Sequence, residues 1–188
     1  MAAVVKRFGP ITCDLAARDY NAQSPNYLAP CTGPEGPLPR DPHAYAIDSF
    51  DVDWARLSTF QFRREGYPGL LWLNPEFRDI APWLTKCRME ASRGANILAL
   101  SPAAVGSNWF SNIVAWDADV YFLKPRLSFI SGETYNKDCM LSHFVRPQYR
   151  SMGIYELKNC RSQDHRYMMI WNWQTDTIEC QWEKNIFW

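Results

Sequence analysis

The sequence predicts an α/β protein with a mostly parallel central sheet flanked by helices. Two observations carry this. Residues 70–73 are a continuous apolar run without polar alternation, which suits a strand covered on both faces, and residues 95–100 read as a second buried strand. Between and after them lie stretches with helical spacing, then a third strand-like segment at 119–123. The resulting order, strand–helix–strand–helix–strand, is the βαβαβ pattern.

In chain order, residues 9–14 read as a short strand ending on the carboxylate of Asp14. A polar segment follows, then a stretch over residues 25–45 where proline and glycine recur (Pro30, Gly33, Pro34, Gly36, Pro37, Pro39, Pro42), which excludes helix and central strand and predicts a long loop. The strand at 70–73 stops at Asn74-Pro75. Ile80, Trp83, Leu84, Cys87 and Ala91 then share one helical face, with Pro82 in the first turn and Gly94 as the stop. The strand at 95–100 stops at Ser101-Pro102. A helix over 107–116 is expected to bury Trp109, Phe110, Ile113 and Val114. Residues 127–130 are a candidate fourth strand. Residues 139–144 and 168–173 read as further strands, antiparallel or at an edge. The chain shows no internal repeat and is expected to form one domain over 1–188, with 145–188 a basic, aromatic-rich C-terminal element.

Composition narrows the function classes. At 188 residues, 47% hydrophobic and 21% charged, the chain is not disordered as a whole. No stretch reaches the roughly 18–20 apolar residues of a membrane helix, and the basic residues Lys6 and Arg7 follow rather than precede the N-terminal apolar run, unlike a secretory signal. A cytoplasmic chain with no membrane partner is expected. The six cysteines are scattered without a C-x-x-C pair, so they read as free thiols and no metal site is expected. Net charge is zero, yet residues 1–53 carry seven acids against four bases while the remainder carries 13 acids against 16 bases. Such polarity fits either an acidic small-molecule pocket beside a basic nucleic-acid face or ordinary solvated charge. Aromatic residues make up 15% of the chain; most belong in a core, and some fit as stacking platforms for bases.

In α/β sheets ligands bind outside the carboxyl ends of the strands. There, directly after the 70–73 strand, stands Asn74-Pro75-Glu76-Phe77. The amide oxygen and the proline carbonyl can accept hydrogen bonds from an exocyclic amine, and the aromatic can stack on a base that has left its duplex. The plainer alternative is a strand end closed by an Asn-Pro turn.

Several segments in series resemble the phage-encoded DNA adenine methyltransferases. These are Cys13-Asp14-Leu15-Ala16-Ala17, Asn21-Ala22 to Tyr27, Asp48 to Trp54, and Asn74-Pro75-Glu76-Phe77. Ile80-Ala81-Pro82-Trp83, Leu100-Ser101-Pro102, Trp109-Phe110, Phe122 to Phe129 and Lys137 to Leu141 continue the series, which spans roughly residues 8–144. The resemblance implies a Rossmann-like, class I S-adenosylmethionine-dependent methyltransferase fold. It implies transfer of a methyl group from S-adenosylmethionine to the exocyclic amine of adenine in DNA, in a monomer or homodimer. Host-cell cytoplasm and protection of phage DNA from restriction follow as expectations.

The residue roles implied are specific. Asn74, Pro75, Glu76 and Phe77 form the catalytic segment. Asp14 lies near the methionine or ribose end of the cofactor, with Leu15, Ala16 and Ala17 lining its loop. Asp48 contacts the cofactor or the adenine edge, or else caps a helix. Lys124 and Arg126 meet phosphate or decorate an exposed hairpin, and Trp109 is a core residue or a wedge between bases. Two positions depart from the family pattern. Glu76 stands where a second proline is usual, and Leu15 where proline is frequent. Glu76 leaves room for two other readings: an enzyme making a different base modification, or an inactive homologue that binds DNA or cofactor as an anti-defence protein.

Overall fold

The computed structural model describes residues 1–30, 32–33, 36–37, 41–46, 48–63, 67–128, 136–146 and 167–183. A helix that no sequence signal announced comes first: α1 (Ala2–Phe8), closed by Gly9 at φ +84, a left-handed conformation that glycine adopts without strain. The chain then enters β1 (Ile11–Asp14). Within the proline- and glycine-rich loop, β2 (Thr32–Gly33) and β3 (Gly36–Pro37) make a small antiparallel pair, the bridge Asp14↔Tyr27 ties the start of the loop to β1, and Leu28↔Ala46 pairs its two ends. α2 (Trp54–Arg56) runs into a π-turn over Leu57–Gln61. β4 (Leu70–Leu73), α3 (Ala81–Ser92) and β5 (Asn96–Pro102) follow as the sequence predicts, with proline at the start of α3 and Gly94 (φ +118) just beyond its end. Another π-turn (Phe110–Val114) leads into α4 (Ala115–Asp117), and then β6 (Asp119–Lys124), β7 (Cys139–Phe144), β8 (Tyr167–Asn172) and β9 (Thr177–Glu183) complete the chain.

Seven strands form one sheet in the order β1-β4-β5-β7-β6-β8-β9. Only half of its pairings are parallel (β1/β4, β4/β5 and β6/β8), because β7 returns antiparallel between β5 and β6, and β9 returns antiparallel on β8. The sheet is therefore more mixed than expected. An uninterrupted apolar run reports two covered faces, and a buried antiparallel strand such as β7 meets that condition too. In the candidate fourth strand, Leu127 and Ser128 are described and 129–130 lie outside the described residues, as does most of 145–166.

Both faces are covered, as the strands show residue by residue. Leu71, Leu73, Ile97 and Ala99 pack with Leu84, Cys87 and Ala91 of α3 and with Phe110, Ile113 and Val114. Leu70, Trp72, Leu98 and Leu100 point the other way, toward Val4 of α1 and Trp171 of β8. Close packing also selects Gly69, just before β4. A Cβ there would collide with the Phe62 carbonyl and Thr12 Oγ1. β1, β4 and β5 thus run side by side with their carboxyl ends at one edge of the sheet.

Candidate active site

Asp14 ends β1, and β4 beside it runs into Asn74. The Asp14 carboxylate is 2% exposed, and its described partners are two backbone N–H groups: Ala16 donates to Oδ1 at 3.2 Å and Gln23 to Oδ2 at 3.0 Å. Burial pushes its pKa up to about 6, against the pull of those two donors. Asn74 is exposed and Pro75 buried, so the turn is anchored through its proline while the amide is presented to solvent.

A cavity of about 690 Å3 opens along this edge. Asp14, Ala16 and Asn74 line it, joined by Asn21 and Gln23 at the polar end. Toward β8 the lining becomes apolar, with Trp72, Leu141, Trp171 and Trp173, and Met1, Ala3 and Val4 of α1 form one wall. Among the described lining residues, Asp14 is the one titratable side chain. Neighbouring Cys13 is no nucleophile at neutral pH, since burial and then the adjacent Asp14 push its thiol up to about 12. Among the described residues, no cluster of His, Cys, Asp or Glu is disposed to hold a metal ion, and no helix is long and apolar enough to cross a membrane.

The remaining residues singled out from the sequence lie elsewhere. Leu15 is fully buried in the core, and its N–H donates to the Trp72 carbonyl at 2.8 Å. Ala17 packs with Tyr27 and Ala29. Asp48 Oδ1 accepts the Phe50 N–H at 2.9 Å, and Asp48 does not line the cavity. The segment that follows it is a structural clasp. Asp53 caps α2 by accepting the Arg56 N–H at 2.8 Å, and fully buried Trp54 donates its indole N–H to the Ser49 carbonyl at 2.9 Å. Glu76 points outward, 62% exposed, with Oε1 3.9 Å from Arg78 Nε. Phe77 is half-buried between the two core clusters at the start of a 3-10 turn (Phe77–Asp79). Trp109 is half-buried against the core, edge-on to Phe110 at 6.3 Å between ring centroids. Lys124 and Arg126 are exposed and ion-paired, with Glu179 and Asp138 respectively, each at 2.7 Å.

Sequence reasoning missed the cavity's far wall. Trp171 lies near the end of β8 and Trp173 in the turn just after it, and a tryptophan pair at this spacing reads the same for a core strand and a ligand wall. Gln23 and Asn21 follow Asp14 within nine residues, and their common feature, a polar segment folding back on a buried acid, emerges only once Gln23 is seen donating to it.

Searches of curated proteins and of solved structures returned no match for this chain. The family model for DNA N-6-adenine-methyltransferase (Dam) matches residues 48–166, more than half the chain, and the match includes the Asn74 turn, α3 and strands β4 to β7. With an amide–proline turn at the carboxyl edge of the sheet, beside a cavity of ligand size, the chain belongs to the DNA N-6-adenine-methyltransferase family and is an enzyme that methylates adenine in DNA.

Proposed function

We propose that the methyl donor is S-adenosylmethionine, held at the β1 end of the cavity by Asp14, and that the target adenine is presented beside it at Asn74. The observation that carries this reading is the Asp14 carboxylate itself: buried, raised to about 6, and without another titratable side chain among the described residues of the cavity lining. A cationic ligand would supply the missing countercharge. S-adenosylmethionine, with its sulfonium and ammonium, has that charge and presents an activated methyl group. The cavity volume also falls within the range of small-molecule sites, roughly 300–1,000 Å3. The parallel trio β1, β4 and β5, with the site outside its carboxyl ends, supports a Rossmann-like class I arrangement.

The protein's own groups then have defined tasks. The Asn74 side-chain oxygen and the Pro75 carbonyl accept hydrogen bonds from the adenine amine, which draws its lone pair out of the ring and toward the methyl carbon. Phe77 offers a ring face to the extruded base. The rest of the acceleration is alignment of two bound reactants. The proton lost by the amine passes to water, since Asn74 cannot ionise and the Glu76 carboxylate is turned toward Arg78. On the DNA side, phosphates compete with Glu179 for Lys124 and with Asp138 for Arg126. Binding is accordingly modest and salt-sensitive. A modification of this kind would shield DNA from restriction.

The test is to incubate the protein with labelled S-adenosylmethionine and unmodified DNA, digest, and identify the nucleosides by mass. N6-methyladenine from the wild type and none from Asn74→Ala is the expected result. A different adduct, or cofactor binding without transfer, would overturn it.

A further inference from the structure

Seven residues of helix are far below the length that holds itself in water, so α1 depends on outside anchors, and it has two. The first is Phe8, whose ring meets Tyr121, His143 and Trp171 edge-on at 5.0, 5.5 and 5.8 Å between centroids. The second is a single carboxylate in the turn between β8 and β9. Arg7 Nε donates to Asp176 Oδ1 at 2.6 Å, and Arg7 Nη2 donates to the Asp176 carbonyl at 3.1 Å. Lys6 Nζ lies 3.3 Å from Oδ2, and the Trp171 indole N–H donates to Oδ1 at 3.1 Å. The Arg7 guanidinium also sits 5.3 Å from the centre of the Trp171 ring.

This cluster differs from an ordinary surface pair. The side chains of Arg7 and Asp176 are 13% and 18% exposed, against 61% and 33% for Lys124 and Glu179. Asp176 also holds a left-handed backbone (φ +57), an uncommon conformation for a residue other than glycine. The two elements joined in this way, α1 and the β8–β9 hairpin, both lie outside residues 48–166, the span matched by the family model. Both also wall the cavity: Met1, Ala3 and Val4 from α1, and Trp171 and Trp173 from β8 and the turn after it. Trp171 does both jobs, lining the cavity and bonding Asp176.

We propose that Asp176 is a positioning residue for methyl transfer: by clasping Arg7 and Lys6 it holds α1 against β8 and so closes the cavity around its ligand. The proposal rests on the reading that this cavity takes S-adenosylmethionine. Its signature is an affinity effect. If the clasped state falls to about a tenth of the population, the apparent Kd rises about tenfold.

Three measurements on the full chain test it: trypsin cleavage after Lys6 and Arg7 followed by mass, S-adenosylmethionine affinity by calorimetry, and KM and kcat for methyl transfer. Asp176→Ala is expected to speed cleavage at both sites and to raise Kd and KM for the cofactor about tenfold, with kcat at saturating cofactor changed less than about twofold. Arg7→Gln approaches the clasp from the other side and should act alike. A folded Asp176→Ala protein with unchanged Kd would overturn the proposal, as would a raised Kd that Arg7→Gln does not reproduce. A wild-type protein that does not bind S-adenosylmethionine would instead overturn the cofactor assignment, while faster cleavage of Asp176→Ala would still establish the clasp.

Discussion

Of the four acids buried among the described residues, Asp14, Asp41, Glu90 and Asp119, Glu90 and Asp14 are treated in opposite ways. Glu90, on α3 and 5% exposed, accepts the Ala55 N–H at 3.0 Å, Lys86 Nζ at 2.9 Å and Arg93 Nη1 at 3.2 Å. Its two cations are themselves placed: Lys86 lies 4.8 Å from the centre of the Trp54 ring, and Arg93 also grips Asp53, the cap of α2. Asp14, on β1 and 2% exposed, has backbone N–H groups and no cation among its described partners. Where a carboxylate holds α2 to α3, the protein supplies the countercharge. Where it faces the cavity, the cationic ligand proposed above would take that role.

The sharpest way to test this division is to remove polar groups from each of these two places and ask which loses stability and which loses function. The largest effect should come from Asn74→Ala. Loss of the amide acceptor is expected to lower kcat by about 10³-fold, with the melting temperature unchanged, because Asn74 is exposed and supports no packing. Steady-state methylation of a defined duplex, with thermal melts on the same preparation, checks both halves. Glu90→Ala should show the reverse. Stranding Lys86 and the Ala55 N–H costs on the order of 3 kcal/mol, read as a lowered midpoint in urea, while activity per folded molecule is kept.

Asp14→Asn is the intermediate case, and it carries a sign. In the folded protein Asp14 titrates near 6, against 3.8 for the ordinary carboxyl. Between those values the folded state keeps a proton that the unfolded chain has released, so wild-type stability falls as pH rises through this window. Above it, the ionised buried acid costs on the order of 2–3 kcal/mol. Asp14→Asn is therefore expected to stabilise the ligand-free protein by roughly 1–2 kcal/mol at pH 8 and to leave it unchanged at pH 4, after losing one acceptor for a backbone N–H. Cofactor affinity of the wild type should strengthen as pH rises through about 6 and then level off, whereas the variant should bind weakly at every pH. Urea melts and calorimetry at four or five pH values give the comparison. An Asn variant less stable at pH 8 would show that Asp14 is as well compensated as Glu90.

These contrasts also explain what was legible in the sequence. That Asp14 and Asn74 stand at one edge of the sheet was legible because Asp14 ends one strand and Asn74 follows another, and strand ends in an α/β sheet are where ligands bind. β4, α3 and β5 could be read because their apolar spacing is local. For β7 the antiparallel reading was available and holds, but its insertion between β5 and β6 was not legible, since Met140 and Leu141 are equally apolar at any place in the sheet. The Arg7–Asp176 clasp joins residues 169 positions apart and leaves no local pattern. Asp48 reads from the sequence as a cofactor or adenine contact or else a helix cap; the acid that caps α2 is Asp53, five residues on, and Asp48 accepts the Phe50 N–H. The charge polarity could not show that Lys124 and Arg126 have acidic partners, Glu179 and Asp138, which stand 55 and 12 positions away in the chain.

The smallest expected effect concerns Glu76, the residue that departs most from the family pattern. Its backbone stands at φ −61, ψ 130, which a proline ring adopts without strain, and no described residue accepts its N–H. Its carboxylate, 62% exposed and 3.9 Å from Arg78, contributes little to stability in solvent. Glu76→Pro should then stabilise the fold by at most about 1 kcal/mol, through a stiffer unfolded chain, and should keep or raise methyl transfer. Activity at two salt concentrations adds a finer reading. If the carboxylate merely repels the DNA backbone, the gain should be larger at low salt and fade near 0.15 M, where the screening length is about 8 Å. A folded Glu76→Pro protein that had lost activity would instead place Glu76 within the chemistry, and would give the Asn74 turn a second acid that the cavity geometry does not include.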